Sequence, residues 1–299
     1  MDKYTGVLKP TNFEIFQETL EENHMGELAE DFLMASGKLQ ALCYKAEIEA
    51  ALRTPGFAGF QLLQLHDFPG QGTALVGVLD PFFNSKGYIS PEEFRQFCER
   101  TVPLARMTKQ VYQNNETFKA DIELAHFDSK PMQNCVVLCQ IHNAKGELLY
   151  EKTLNKEEVP VDNAIPMGSL EYKLQEISSA EKLTLTLRAE GTPYTNHWEI
   201  WVYPASLKAR EEKVLVTHKL DRKARSMLDK GGSVLLLTQG QINKDYGAEV
   251  EIGFSSIFWN TLWTGGQAPH TLGILCNTKH AVFNEFPTEY HSNRQWWDP

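Results

Sequence analysis

Three polar side chains, Gln64, His66 and Asp67, stand close together at the end of an otherwise apolar run. The run, residues 57–67, has the pattern of a buried β-strand, and parallel sheets bind ligands at the carboxyl ends of their strands. Amide, imidazole and carboxylate groups can donate and accept hydrogen bonds. We therefore predict that these residues line a binding site for a polar ligand. The alternative, a polar strand end hydrogen-bonded to loops, is also open.

Two aromatic clusters offer a second kind of candidate ligand contact. Trp259 and Trp263 form the first, and Tyr290, Trp296 and Trp297 form the second. Flat rings stack on the apolar face of a pyranose, so Trp259 and Trp263 are predicted to contact substrate. Burial in a core is the commoner fate of such side chains and is the alternative.

Residues 82–93 imitate a calcium-binding loop without its ligands. Gly87 and Glu93 fall at loop positions six and twelve, but Phe82 and Lys86 occupy positions where oxygen ligands are needed. A helix that starts at Ser90 with a Ser90–Glu93 capping box explains the same residues. We predict no metal there.

The remaining reactive residue types also lack the spacing of a known site. His270, His280 and His291 are too far apart for a compact zinc motif and have no paired cysteines. Cys276 lacks the Gly-x-nucleophile-x-Gly turn that exposes a nucleophile. The sequence therefore predicts neither a metal nor a cofactor.

Composition favours neutral partners. The chain has 299 residues and a net charge of −10, with 39 acidic against 29 basic residues and no basic cluster. Nucleic acids and anionic membranes require concentrated Lys and Arg, so neither is expected as a partner. No apolar stretch approaches the roughly 20 residues of a membrane span.

The elements that must position these residues change character along the chain. Apolar side chains at helical spacing predict a long amphipathic helix over 27–53, which ends at Thr54-Pro55-Gly56. From about Tyr112 to Tyr203 the period becomes two, which is typical of a β-sandwich. Its strands are predicted at 118–127, 134–142, 147–153, 168–174, 181–189 and 197–203.

The last region begins as an α/β unit. Residues 214–217, 221–229 and 234–237 have the pattern strand, helix, strand, and a further strand is predicted at 271–276. An open doubly wound sheet has about five or six strands, so we predict that this domain is incomplete.

The order of these elements resembles family 2 glycoside hydrolases of the β-galactosidase type. The helix, Gly59-Phe60 opening a buried strand, residues 74–80 and the capped helix resemble the end of a (β/α)₈ barrel. The sandwich closing at 197–203 resembles the immunoglobulin-like domain that follows the barrel, and the resemblance covers 27–204. The C-terminal part is similar to extensions of large multidomain bacterial glycosidases.

The resemblance implies a fold class of α/β plus all-β in three parts. These are a barrel remnant over 1–110, an immunoglobulin-like sandwich over 111–206, and an incomplete flavodoxin-like, amidotransferase-like domain with the Trp-rich segment over 207–299. It also implies retaining hydrolysis of β-linked glycosides by two glutamates after barrel strands four and seven. If 57–66 is strand eight, both precede Met1. Gln64, His66 and Asp67 then stand where barrel active sites form, so the resemblance implies that they line a sugar subsite.

The leading hypothesis is therefore the C-terminal part of a glycosidase, inactive by itself, with carbohydrate and further barrel sequence as partners. Asn115-Glu116 and Asn284-Glu285 match the Asn-Glu pair of the family's acid/base, but neither follows a barrel strand, so no catalytic residue is assigned.

The resemblance implies a periplasmic or secreted parent. A non-catalytic carbohydrate-binding or domain-assembly module is the rival hypothesis. Exposed apolar faces also predict association or partial disorder of 1–60.

Overall fold

The computed structural model describes residues 11–68, 75–206, 214–238, 241 and 273–296. The described residues fall into two units. Residues 11–205 and 273–296 belong to the first, and residues 206, 214–238 and 241 belong to the second. No helix in the described ranges has both the length and the apolarity needed to cross a membrane.

The first unit begins with helices. Helix α1 (Thr11–Glu22) is followed by a 3₁₀ turn (Gly26–Leu28) and the long helix α2 (Ala29–Leu52). The predicted helix over 27–53 is confirmed, and it buries Ala35, Leu39 and Ile48. Helix α3 (Pro91–Arg95) starts with the predicted capping box, in which Ser90 and Glu93 exchange side-chain and backbone hydrogen bonds.

The segment between α2 and α3 differs from the prediction of a strand buried on both faces over 57–67. Residues 57–64 form no strand, and Phe57, Phe60, Leu63 and Leu65 are exposed. His66 alone makes a parallel bridge, to Leu79. The predicted burial is wrong for these residues because a parallel strand needs neighbours on both sides, and the described chain provides one short neighbour.

Gly77 allows the two chains of this bridge to approach closely. A Cβ at position 77 would lie 2.3 Å from the backbone carbonyl carbon of His66, well inside van der Waals contact. Any side chain there would push apart residues 66–67 and 77–79.

Eight strands form a β-sandwich, as predicted. A three-stranded sheet has the order β1-β3-β6 and a five-stranded sheet the order β2-β8-β7-β4-β5. Neighbouring strands are antiparallel except β2 and β8. The strands are β1 (Thr101–Arg106), β2 (Val111–Gln113), β3 (Thr117–His126), β4 (Met132–His142), β5 (Leu148–Val159), β6 (Asp162–Lys173), β7 (Glu181–Ala189) and β8 (Thr195–Tyr203).

Alternate residues of each sheet fill the sandwich core. Val137, Cys139 and Ile141 of β4 are fully buried, as are the inward residues of β3 and β7. This period of two is the pattern on which the prediction rested. Strand β1 extends the sandwich upstream of its predicted start at 111, because Thr101–Arg106 pairs along its whole length with β3.

The described part of the second unit is a small parallel α/β motif. Strand β9 (Val214–Thr217) pairs in parallel with β10 (Ser233–Leu236), and helix α4 (Arg222–Asp229) connects them. Asp221 caps α4 by accepting a hydrogen bond from Ala224 N. The strand, helix, strand order is therefore observed, but no flavodoxin-like sheet is seen in the described ranges.

The C-terminal residues 273–296 belong to the first unit and do not extend that parallel sheet. In place of the strand predicted at 271–276, Leu275 makes a single antiparallel bridge to His291. Short 3₁₀ turns at Ala281–Phe283 and Arg294–Trp296 complete the segment.

Candidate functional site

Asp67 is buried at the end of segment 57–67, and both of its carboxylate oxygens are engaged. Oδ1 accepts hydrogen bonds from Gly77 N and Lys86 Nζ, each at 2.9 Å, and Oδ2 lies 2.7 Å from Lys86 Nζ. Lys86 also donates to the Gly77 carbonyl at 2.8 Å. Asp67 therefore fixes the neighbouring chain in place, which matches the loop-bonded alternative for this residue.

Gln64 and His66 are half-buried beside it and form the accessible part of the cluster. Gln64 Nε2 lies 3.1 Å from His66 Nδ1, and the imidazole stacks on Phe83 with ring centroids 4.3 Å apart. An aromatic face next to an amide and an imidazole suits a pyranose, which has an apolar face and hydroxyl groups. The structure thus brings Gln64 and His66 together with Phe83, whereas the Asp67 side chain is bonded to Gly77 and Lys86.

A buried tyrosine supports this cluster from below. Tyr88 Oη lies 2.9 Å from the Gly77 carbonyl and 2.6 Å from Gln40 Oε1 of α2. Its ring occupies the space that a side chain at Gly37 would fill, since a Cβ there would lie 2.2 Å from the ring. Burial, then the negative charge of Asp67, raises the pKa of Tyr88, so it stays a neutral donor.

Glu49 is the buried carboxylate that joins α2 to the sandwich, and the sequence analysis missed it. Its oxygens accept hydrogen bonds from Asn196 Nδ2 at 2.8 Å and Trp198 Nε1 at 2.9 Å, both on β8. Lys45 of α2 and Arg53, which caps the end of α2, lie four residues before and after Glu49 and form ion pairs with it at 2.5 and 3.3 Å. We call these five residues the Glu49 network.

The electrostatics of the Glu49 network favour the ionised carboxylate. Burial raises the pKa of Glu49, but the charge of Lys45 and the hydrogen bonds from Lys45, Trp198 and Asn196 outweigh it. The pKa of Glu49 is therefore below its ordinary value. A charge this deeply buried is stable only while its partners are in place.

A cavity of about 190 Å³ lies beside this network, between α2, α3, β8 and the C-terminal segment. Its polar walls are largely engaged with one another. His197 Nδ1 is 2.7 Å from Gln96 Oε1, and Glu93 is bonded by Ser90 N and Lys38. Burial, then the charge of Lys45, lowers the pKa of His197, so the imidazole is neutral near pH 7. The arrangement is that of a packed junction.

The C-terminal segment is fastened to the sandwich by charged groups. Lys182 of β7 forms ion pairs with Glu199 of β8, at 2.7 Å, and with Glu289. Asn293 donates a hydrogen bond to Glu199. Residues 273–296 are thus held against β7 and β8 of the five-stranded sheet.

The predicted aromatic sugar contacts are only partly described. Trp259, Trp263 and Trp297 lie outside the described residues. Trp296 packs edge-on against Phe286, with centroids 4.9 Å apart, and its indole donates to Thr288 Oγ1 at 3.0 Å. These contacts are those of a structural aromatic cluster.

Other candidates have structural partners. Burial raises the pKa of the Cys276 thiol, which opposes nucleophilic reactivity. Glu116 of the Asn115-Glu116 pair accepts from Gln113 N at 2.7 Å and pairs with Lys109 at 2.6 Å, closing the turn before β3. The described ranges contain no group of three or more His, Cys, Asp or Glu arranged to hold a metal.

Comparisons with known proteins identify two uncharacterised families. Residues 116–204 match a family described as a domain of unknown function (DUF8488), and residues 215–299 match another, DUF8487. No curated protein matches the chain.

Solved structures with some similarity include carbohydrate-active enzymes. They include a Paenibacillus sp. cycloisomaltooligosaccharide glucanotransferase (10% identity, 40% of this chain, 16% of that one, TM-score 0.26). A Clostridium perfringens family 123 glycoside hydrolase is similar to the same low degree (8% identity, 40% of this chain, 30% of that one, TM-score 0.25). So is a Parabacteroides merdae β-glucuronidase (9% identity, 34% of this chain, 14% of that one, TM-score 0.25). The chain spans less than a third of each, and such scores establish neither a shared family nor a shared activity.

Replacing Glu49 by alanine should destabilise the protein strongly. Lys45 and Arg53 would lose their buried counter-charge, and we expect the free energy of unfolding to fall by about 3–5 kcal/mol. Urea denaturation followed by circular dichroism measures it. Glu30→Ala, at an exposed position of the same helix, is the control and should change stability by ~0.5 kcal/mol. Similar losses in the two variants would contradict the role assigned to Glu49.

The same network should make stability depend on pH. Because the folded pKa of Glu49 lies below its unfolded value, its contribution is complete above the unfolded pKa of about 4.3 and is lost as pH falls through the folded pKa. Glu49→Gln cannot titrate, so its stability should fall less steeply than that of the wild type below about pH 4.3. Denaturation midpoints across the acid range test this, and parallel pH profiles would refute it.

Proposed function

We propose that this chain is the C-terminal part of a retaining glycoside hydrolase acting on β-linked glycosides. In this proposal, residues 57–67 are the last strand of a (β/α)₈ barrel, and the sandwich is an immunoglobulin-like domain that follows it. The chain contributes scaffold and sugar contacts, and the catalytic glutamates belong to other strands of the barrel.

The observation that carries the proposal is the exposed apolar face of segment 57–65. Phe57, Phe60 and Leu65 are each more than 40% exposed, and Leu63 is 75% exposed. Burying one such side chain contributes about 1.5–3 kcal/mol, so a row of them left in water is an interaction surface. A barrel strand buries its side chains both in the barrel interior and under the outer helices, which would cover this row.

The backbone of the segment supports the same assignment. Asp67 N donates to Leu79 O at 3.0 Å and Leu79 N to Leu65 O at 3.2 Å, which are parallel-type hydrogen bonds. Residues 58–64 make no backbone hydrogen bond to another described residue. The pairing thus begins at one end, and the described residues provide no backbone partner for the rest of the segment. Parallel strands occur almost only in sheets covered by helices, and α2 and α3 flank this segment in sequence.

An apolar groove continues this surface. A cavity of about 230 Å³ is lined by Phe57 and Phe60 together with Leu52, Phe97 and Phe127. Side chains of a neighbouring barrel element would fit this groove, since its lining is largely aromatic and aliphatic.

The strand-end cluster fits the proposal as one wall of a sugar subsite. Active sites of (β/α)₈ barrels form at the carboxyl ends of the strands, where Gln64 and His66 stand. The ion pair between Asp67 and Lys86 lies next to them in the fold, and Phe83, stacked on His66, adds a flat apolar surface.

The coding sequence upstream of Met1 provides the test. We expect it to encode seven further barrel strands, with glutamates after strands four and seven, in frame with this chain. The polypeptide expressed from the joined sequence should hydrolyse aryl β-glycosides, and the present chain alone should not. Turnover by the chain alone, or an upstream sequence without a barrel, would overturn the proposal. Saturable glycan binding by the chain without any barrel would favour a binding module instead.

Variants of the joined polypeptide then test the subsite. His66→Ala should lower kcat/KM about tenfold, because a hydrogen bond to a sugar hydroxyl is lost. His218→Ala is the matched control, at an exposed position outside the proposed barrel, and should leave kcat/KM within about twofold.

A further inference from the structure

A second and larger cavity, of about 500 Å³, opens beside the Glu49 network and is lined with positive charge. It lies between the end of α2, the connection from β1 to β2, and the 3₁₀ turn at Arg294. Its cationic residues are Arg53, Arg106, Lys109 and Arg294, and none of its lining residues is Asp or Glu. We call it the basic cavity. In a chain with a net charge of −10, this local excess of cations is a distinct feature.

Two of the three guanidinium groups, those of Arg53 and Arg106, are held in fixed orientations. Arg53 Nη1 donates to Glu49 Oε2 and to the Ala105 carbonyl, both at 3.3 Å. Arg106 Nε and Nη2 bind the two oxygens of Glu123 at 2.9 and 3.1 Å, and Nη2 also donates to the Arg53 carbonyl at 2.9 Å. Their carboxylate partners, Glu49 and Glu123, offset part of this charge but do not line the cavity.

Donor capacity is left over on both arginines. A guanidinium has five N–H donors, and the contacts above do not use Arg53 Nη2 or Arg106 Nη1. No acceptor among the described residues pairs with either group. The Arg53 side chain is 20% exposed, so a ligand oxygen can reach it in place of water.

The remaining walls supply further recognition. Lys109 stands at the rim, 2.6 Å from Glu116 and over the Tyr112 ring, and Thr108 and Gln110 are polar neighbours. The Trp198 side chain contributes an aromatic wall, and its indole N–H is committed to Glu49. A volume of this size accommodates a single sugar ring with one charged substituent.

We propose that the basic cavity binds the oxyanion of an acidic saccharide, a carboxylate or sulfate group held by Arg53 and Arg106 beside Trp198. The planar guanidinium matches the geometry of both oxyanions, and the aromatic wall matches the apolar face of the sugar. The saccharide part of this inference rests on the proposed glycosidase function. The cavity is formed by α2, β1, β8 and the C-terminal segment, so it is separate from the strand-end cluster of Gln64 and His66.

Calorimetric titration of the whole chain with sodium glucuronate, sodium sulfate and glucose, at constant ionic strength, tests the proposal. We expect saturable binding of glucuronate, weaker binding of sulfate and none of glucose. Equal affinity for glucuronate and sulfate would overturn the saccharide part and leave an oxyanion site. Absence of binding by both anions would overturn the whole inference.

A pair of charge-matched variants locates the binding. Arg106→Gln should raise the Kd for glucuronate about tenfold, since one charge-assisted hydrogen bond is lost. Lys119→Gln removes one positive charge from an exposed ion pair with Glu171, outside the cavity, and should change the Kd less than about twofold. Equal effects of the two variants would place the anion elsewhere. If Arg106→Gln fails to fold, as seen by circular dichroism, Lys109→Gln at the rim replaces it.

The two proposals fail separately. Binding is measured on this chain without any hydrolysis, so an absent anion site leaves the barrel assignment intact. An upstream sequence without a barrel would, in turn, leave an observed anion affinity unchanged.

Discussion

The buried carboxylate of Glu49 fixes how the helical part of the first unit sits on the sandwich. It is 3% exposed and is bonded by Asn196 and Trp198 of β8 as well as by Lys45 and Arg53 of its own helix. A buried ion costs several kcal/mol unless its partners are all present. Asn196 also donates to the Pro103 carbonyl, so one network joins α2, β1 and β8 and permits one register between them.

Both candidate sites depend on this junction. The basic cavity is bounded by the end of α2 and by β1. Two hydrogen bonds fix the relative position of these elements, because Arg53 donates to the Ala105 carbonyl and Arg106 donates to the Arg53 carbonyl. On the far side of α2, Gln40 and Gly37 hold Tyr88, which supports Gly77 and hence the pairing of residues 66–67 with 77–79. Helix α2 therefore presents the strand-end cluster and the open apolar face next to a rigid sandwich.

Sequence patterns correctly predicted the strands and the helix whose apolar faces are buried within the described chain. The sandwich strands were found because residues such as Val137, Cys139 and Ile141 alternate with exposed neighbours, and α2 because its buried face has helical spacing. Strand β1 was missed because Pro103 disfavours a strand, yet β1 lies at a sheet edge, where proline is tolerated.

Glu49 was missed because its role requires β8. A Glu four residues from both Lys45 and Arg53, next to the buried Ile48, was the available signal. Segment 57–65 has the composition of a buried strand, but burial depends on neighbours that composition cannot supply.

We propose that segment 57–67 is a barrel strand whose partners lie in other sequence, and amide hydrogen exchange can test this proposal. Exchange should be compared between this chain and the polypeptide that includes the upstream coding sequence. We expect amides of residues 58–64 to exchange rapidly in the present chain and to become as protected as those of β7 in the longer polypeptide. Rapid exchange of these amides in both proteins, or strong protection in both, would contradict it.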